Sequence, residues 1–277
     1  MKLLTFKITP QTPFGTYPKG DTLFGQIASY FYMRGFDGLQ KPRFVVSDMM
    51  PLGYVYKPSL PMKCFGYEDK KSFRKKNFIT IEDLQSGDWE KICEVDFFRK
   101  VSDVKNSISR LTFSTQGKDF APYSVEAIEF YRELWMFALV DEEIEQEFKS
   151  ILEEIGVMGF GKDSSVGKGK FSIETIDTPS IKKDKEWVMA LSPVALCDVE
   201  VAGYEPFVRF GKFGLDRAHK NAFKKPVMVA DSGAVVKLKK KQDFFGKMLE
   251  NGNERFKAFY QGCSIALPIK EPQCLSK

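Results

Sequence analysis

An α+β fold is predicted by the 277-residue sequence on three observations. Apolar residues recur at helical spacing in two places: Leu23, Ile27 and Phe31, then Ile144, Phe148, Ile151, Leu152 and Ile155. Short alternating or apolar runs, the signature of strands, flank each of these stripes. The chain is 43% hydrophobic and 14% aromatic, which suffices for one large core or two modest ones and excludes a disordered protein.

Residues 3–8 form the first strand. Residues 10–20 (PQTPFGTYPKG) are a Pro/Gly loop, and Asp21 is placed to cap a helix running to about residue 33. Free N–H groups and the positive dipole end of that helix lie beside Lys19 and Gly20. They make either an ordinary helix start or a phosphate contact. Residues 44–46 and 53–56 read as short strands.

From about 58 to 117 the periodicity is lost, and an irregular basic insertion rather than a core element is expected. There Lys70, Lys71, Arg74, Lys75 and Lys76 surround Phe73, and Arg99 and Lys100 follow Phe97 and Phe98. Cations among rings suit single-stranded RNA, while a solvated charged face has the same composition. Residues 124–130 and 135–140 read as a hairpin leading into an acidic helix at 142–155. Across 141–155 seven acids stand against Lys149, so the helix's outer face is expected to point toward solvent or a protein neighbour.

A strand at 170–176 completes a strand–helix–strand–strand–helix–strand order with an insertion, which is the ferredoxin-like (RRM-like) order. This gives a domain at 1–177. Residues 178–185 (TPSIKKDK) read as a linker to a second domain at 186–277. In it, 187–195 reads as a strand and 207–225 as a broken basic-aromatic stretch. Residues 227–230 and 234–237 read as a hairpin around Asp231-Ser232-Gly233, and 259–269 as the last strand.

The net charge of +5 and pI near 8.7 allow a polyanionic partner. Five cysteines without C-x-x-C spacing argue against zinc and against a disulfide framework, so reduced cytoplasmic thiols are expected. No run approaches membrane-spanning length, and a soluble protein is expected.

The stretch that carries the functional reading is 156–171, GVMGFGKDSSVGKGKF, with five glycines, three lysines and a serine pair. Glycine permits positive φ and close approach of a ligand, turn amides make an anion-binding concavity, and Lys162, Lys168 and Lys170 add charge. The match to G-x-x-x-x-G-K is not a P-loop, because Asp163 replaces the Mg²⁺-binding Ser or Thr and the order is helix–loop–strand. A flexible surface connector is the plain alternative.

Residues 19–25 (KGDTLFG), 159–171 (GFGKDSSVGKGKF) and 260–269 (YQGCSIALPI), together with Asn106–Arg110, resemble the RAMP superfamily of CRISPR proteins, and within it the fourth subunits of the Csm series in type III-A effector complexes. The resemblance spans both halves of the chain. It implies two ferredoxin-like folds, no catalysis and no cofactor or metal. It also implies a subunit that caps the 5′ repeat-derived handle of crRNA and bridges the large polymerase-domain subunit to the backbone RAMP subunits. The residues it assigns to RNA are Lys19, Gly20, Arg110, Gly159, Gly161, Lys162, Ser164, Ser165, Gly167, Lys168, Gly169 and Lys170. Where many relatives carry Arg before the loop serines this chain has Lys162-Asp163, a point charge in place of a bidentate fork. The equivalent subunit of a type III-B (Cmr) complex remains open.

Some RAMP relatives process crRNA as ribonucleases that use histidine. The one histidine here, His219, lies in a basic stretch with Arg217 and Lys220. It is either a general acid–base or an RNA-contacting side chain. Metal-dependent cutting requires clustered carboxylates, whereas Asp21 and Asp163 read as a cap and a turn residue. Non-catalytic RNA binding is the expectation, with loop amides and serine hydroxyls holding phosphates and Phe210 and Phe213 stacking on bases.

Overall fold

The computed structural model describes residues 1–36, 41–67, 69–115, 122–182, 186–214, 222–254, 256–272 and 274. In chain order the first half runs β1 (Lys2–Pro10), α1 (Gly20–Met33), β2 (Phe44–Val46), β3 (Met50–Pro51), β4 (Val55–Tyr56), α2 (Lys70–Lys75), β5 (Phe78–Ile79), α3 (Ile81–Ser86), β6 (Phe98–Lys105), β7 (Tyr123–Phe130), β8 (Leu134–Val140), α4 (Glu145–Met158) and β9 (Phe171–Ile176).

Strand β8 explains how the halves join. Its sequence, LWMFALV, is apolar throughout, the pattern of a strand buried on both faces. Leu134, Met136, Ala138 and Val140 face the core under α1 and α4, with Leu4, Phe6 and Ile8 of β1 and Phe148, Ile151, Leu152 and Ile155 of α4. The alternate residues Trp135, Phe137 and Leu139 face a second core shared with Met189, Leu191, Val235, Ile265 and Leu267 of the second half. The sheet order is β2-β8-β1-β9, antiparallel throughout, with β3 also on β8. Phe44 sits between Phe24, Phe31 and Phe148 at centroid distances of 5.0, 5.4 and 5.4 Å, tying both helices to the sheet.

Two sequence expectations are corrected here. The 58–117 segment is packed rather than irregular: Phe65, Phe73, Ile79, Ile81, Leu84 and Ile92 join the second core. Short helices and two-residue strands carry too little periodicity to be read. Strands β7 and β8 are consecutive but not a hairpin, since β7 pairs along its length with β6. The outer face of α4 is exposed, and several acids of the helix and its approach also pair within the chain. Glu145 pairs with Lys2 and Lys149, Glu147 and Glu154 pair with Arg34, and Asp141 and Glu143 pair with Arg43.

The second half continues with β10 (Trp187–Ala190), β11 (Glu200–Gly203), β12 (Pro206–Arg209), β13 (Val227–Ala230), β14 (Val235–Lys237), β15 (Phe244–Gly246), β16 (Leu249–Glu250), β17 (Phe259–Tyr260) and β18 (Cys263–Pro268). Its main sheet is ordered β11-β14-β10-β18-β15. Among the described residues this half has no α-helix, so the order expected of a second ferredoxin-like unit is not what they present. The 227–237 hairpin is also corrected: β13 pairs with β12, whereas β14 pairs with β10 and β11.

Cys64 and Cys274 form a disulfide with their Cα atoms 5.0 Å apart, against the expectation of reduced thiols. Their separation of 210 residues hides the pair from any spacing rule. Among the described residues no helix is long and apolar enough to cross a membrane.

Candidate nucleic-acid interface

Helix α4 runs through Gly156 to Met158, and the glycine loop then folds back before β9. Gly159, Gly161, Gly167 and Gly169 all have positive φ, as does Asp163 at 65°. At Gly159 and Gly169 the reason is internal. A Cβ on Gly159 would be driven into the Lys168 carbonyl, and one on Gly169 into the Phe160 carbonyl, so the two ends of the loop close on each other.

The loop is then pinned to the Pro/Gly segment before α1. Gly169 N donates to Pro13 O at 2.8 Å, Lys170 N to Thr12 Oγ1 at 2.9 Å, and Lys162 N to Thr16 Oγ1 at 3.1 Å. Gln26 of α1 takes Gly161 N on its Oε1 and gives its Nε2 hydrogen to Gly159 O. Phe160 N donates to Gly169 O, while Gly167 N and Lys168 N turn inward to Ser164 O and Asp163 O. Amides spent on the loop's own fold are not available to phosphates, which narrows the amide cradle expected across 159–169 to the N–H groups not so engaged.

What faces outward is the tip. Lys162, Ser165 and Val166 are exposed, and Gly161, Ser164, Gly167 and Lys170 are half-buried. Lys168 is different: its side chain is 8% exposed, with Nζ 2.7 Å from Asp103 Oδ2 on β6. That ammonium holds the Asp103 carboxyl below its ordinary range. A second ion pair, Lys105 Nζ to Asp163 Oδ2 at 3.4 Å, runs the opposite way between the same two elements.

These crossed pairs seat the glycine loop against the β6–β7 ribbon. Sequence reasoning missed Asp103 and Lys105. The available signal was the alternation of Arg99, Val101, Asp103 and Lys105 on one face of a strand. Beyond Lys105 the ribbon ends in a turn closed by Ser109 N to Ser114 O at 3.0 Å. Arg110 is exposed on it, next to Leu111 and Phe113, which are 93% and 85% exposed.

Lys19 and Gly20 sit elsewhere. Lys19 pairs with Asp231 and lies over the Phe207 ring at 4.6 Å. Gly20 N donates to Asp48 Oδ1 at 2.7 Å. Asp48 is fully buried and also accepts from Ser232 Oγ at 2.7 Å and Tyr56 OH at 3.2 Å. Burial raises its carboxyl to about 6, against the pull of Lys19, Gly20 N and Ser232.

Asp21 does not cap α1, whose N-cap position is Lys19. Its carboxylate instead takes Arg209 Nε at 2.6 Å and Nη2 at 2.9 Å. The helix start is therefore a seam between the halves, with its carboxylates supplied by the chain. Asp48, Arg209 and Asp231 were invisible in sequence because they lie 28 to 212 residues from their partners.

Of the aromatics expected to meet bases, Phe73 and Phe97 are buried, Phe98 is half-buried, and Phe213 is buried 5.5 Å from Phe256. Phe210 is 74% exposed. The basic residues Lys70, Lys71, Arg74 and Lys75 lie exposed on and beside α2. His219, Arg217 and Lys220 lie outside the described residues.

No family model matches the sequence, and no curated protein matches it. Solved structures do match. One is from a Csm1-Csm4 cassette in complex with AMPPNP, with a TM-score of 0.64 at 16% identity over 98% of this chain and 100% of that one. Another is from a Csm3-Csm4 subcomplex in the type III-A CRISPR-Cas interference complex, with a TM-score of 0.63 at 17% identity over 97% and 100%. Csm4 is the component common to both. The chain has the Csm4 fold. A third match, from a Csm1-Csm4 cassette in complex with pppApA, has a TM-score of 0.61 at 15% identity over 98% and 100%. Sharing that Csm4 fold over nearly its whole length, the chain places its glycine loop and β6–β7 ribbon side by side on the first half.

Proposed function

We propose that this chain is a non-catalytic subunit of a type III-A CRISPR-Cas (Csm) effector complex, one that holds the 5′ repeat-derived handle of crRNA and bridges the large polymerase-domain subunit to the backbone RAMP subunits. The observation that carries the reading is the match to Csm4 over almost the full length of both chains, in assemblies with Csm1 and with Csm3. The first half is read as ferredoxin-like: α1 and α4 pack on one face of the sheet β2-β8-β1-β9, and the segment between β3 and β8 is inserted.

In this reading the RNA meets the outward side chains of the tip, Lys162, Ser164, Ser165 and Lys170, with Arg110 on the ribbon. Gly159, Gly161, Gly167, Gly169 and Lys168 build the platform beneath. Lys19 and Gly20 act at one remove, by fixing α1 and with it the Gln26 clamp on the loop.

The test is binding of a labelled handle RNA by the chain at a series of KCl concentrations. Lys162→Ala and Lys170→Ala should each flatten the log–log salt slope by about 0.7, the value for a lost single-strand phosphate contact. Unchanged slopes and affinity in both variants would remove the loop tip from the RNA site. Cleavage of repeat RNA by the chain alone, abolished by His219→Ala, would replace the proposal with a ribonuclease.

A further inference from the structure

The bond between Cys64 and Cys274 joins the segment inserted in the first half to the end of the chain. A chain of this size does not need it to hold a core, because Phe65, Ile81 and Leu84 of the insertion are already buried with Leu267 and Ile269 of the second half. Noncovalent contacts reach along the chain as far as Lys270. Gln85 Nε2 donates to Pro268 O at 3.3 Å, and Ile269 N donates to Trp187 O at 2.9 Å. The stem of Lys270 lies so close to Gly87 that a Cβ there would not fit. Pro272 is buried, but among the described residues no hydrogen bond or ion pair engages Glu271 or Pro272. The disulfide is the tie beyond them. Both of its residues are half-buried, within reach of a small thiol, and Cys93, Cys197 and Cys263 are free, so the chain is not built as a disulfide scaffold.

We infer that the Cys64–Cys274 bond is a reducible fastening: closed, it holds the end of the chain on the insertion, and exchange with a small thiol of the glutathione class opens it while the cores stay folded. The thiolate of one reductant molecule attacks a sulfur of the bond, the S–S bond breaks, and a mixed disulfide remains. A second reductant thiolate attacks the reductant sulfur of that mixed disulfide and releases the protein thiolate. Two electrons and two protons thus pass to the Cys64 and Cys274 sulfurs, and the reductant leaves as its own disulfide. Two features keep the opening local. The turn Met62–Phe65 stays anchored, since Phe65 packs on Phe73 and Trp89 at centroid distances of 5.1 and 5.5 Å. Gln85 also donates to Lys182 O at 3.2 Å and accepts from Lys182 N at 3.1 Å, so α3 holds β18 and the approach to β10 without the bond. Opening therefore frees the chain past Lys270 and leaves Cys64 as a thiol.

The experiment compares the full-length chain, oxidised, with the same chain held in millimolar glutathione. Alkylation in denaturant without further reductant should label three of the five cysteines in the oxidised chain and all five after glutathione. Reduction should lower the melting temperature by at least about 5 °C, because it opens a ring spanning 210 residues in the unfolded chain. In native hydrogen exchange, peptides covering 62–66 and 269–272 should exchange at least about tenfold faster when reduced, while β8 and α4 stay unchanged. Cys274→Ser in oxidising buffer should match the reduced chain and should not respond to glutathione. Five labels in the oxidised chain would remove the bond. Three labels after prolonged glutathione treatment would make it a permanent staple, and faster exchange across β8 would make its opening global; each result overturns the inference.

Discussion

Lys19 Nζ lies 4.0 Å from Asp48 Oδ2 while pairing with Asp231, so one ammonium from the start of α1 serves a carboxylate in each half of the molecule. Asp48 receives four polar neighbours and still titrates near 6, because complete burial outweighs them.

The sign of the pH effect follows. The Asp48 carboxyl is raised from 3.8 to about 6, so between those values the folded chain binds a proton that the unfolded chain has released. Its contribution to stability is greatest in acid and is lost as pH rises through about 6, with a slope of up to about 1.4 kcal/mol per pH unit. Urea unfolding at pH 4.5 to 7.5 should show that slope as a difference between the wild-type chain and Asp48→Asn, which cannot titrate. Parallel pH profiles for the two chains would contradict the assignment.

Arg209 and Asp21 present the complementary case, a bidentate pair whose carboxylate is buried. Arg209→Met leaves Asp21 charged without its partner and is expected to cost about 3 kcal/mol in urea unfolding. Adding Asp21→Asn should restore part of that loss, since the stranded charge is gone. A double variant no more stable than Arg209→Met would show that packing around Arg209, not the charge pair, holds this seam.

Local pattern made the first half largely legible. The stripe Leu23, Ile27, Phe31 gave α1, the stripe from Phe148 to Ile155 gave α4, and alternation gave β1 and β9. LWMFALV was readable as a strand, but its doubly buried role was not, because the residues that cover Trp135, Phe137 and Leu139 come from the far half of the chain. The glycine loop was legible as a feature, but its closure on itself was not. Glycines that let a backbone approach a ligand look identical to glycines that let it approach itself, and only the register of Gly159 with Lys168 and of Gly169 with Phe160 separates the two. Crossed ion pairs between β6 and the loop, like the Cys64–Cys274 bond, depend on partners that no local window contains.

Gly169 tests the self-closure of the loop. Its φ of 74° is strained for any side chain with a Cβ, and the Phe160 carbonyl occupies the space a Cβ needs. Gly169→Ala should therefore cost at least about 1–2 kcal/mol from the backbone conformation alone. Hydrogen exchange should locate the damage at residues 159–170, with the amides of Phe160 and Gly169 losing protection first. Retained protection at both amides would mean that the closure does not depend on glycine.

Lys168 and Lys162 are two lysines of one loop with different predicted signatures. Lys162 is exposed at the tip, so Lys162→Ala should leave stability within about 0.5 kcal/mol of wild type and act on RNA affinity through the salt slope. Lys168 is buried on Asp103, so Lys168→Met should lower the melting temperature and loosen the β6–β7 ribbon from the loop without removing a phosphate contact. Asp103→Asn should weaken the same junction from the other side, and because the two side chains share one interaction the effects should fall short of additive. The checking measurement is a double-mutant cycle on unfolding free energy, run beside the salt titration of handle-RNA binding. A Lys168→Met chain with full stability and a flattened salt slope would place that ammonium on the RNA and reverse the roles of the two lysines.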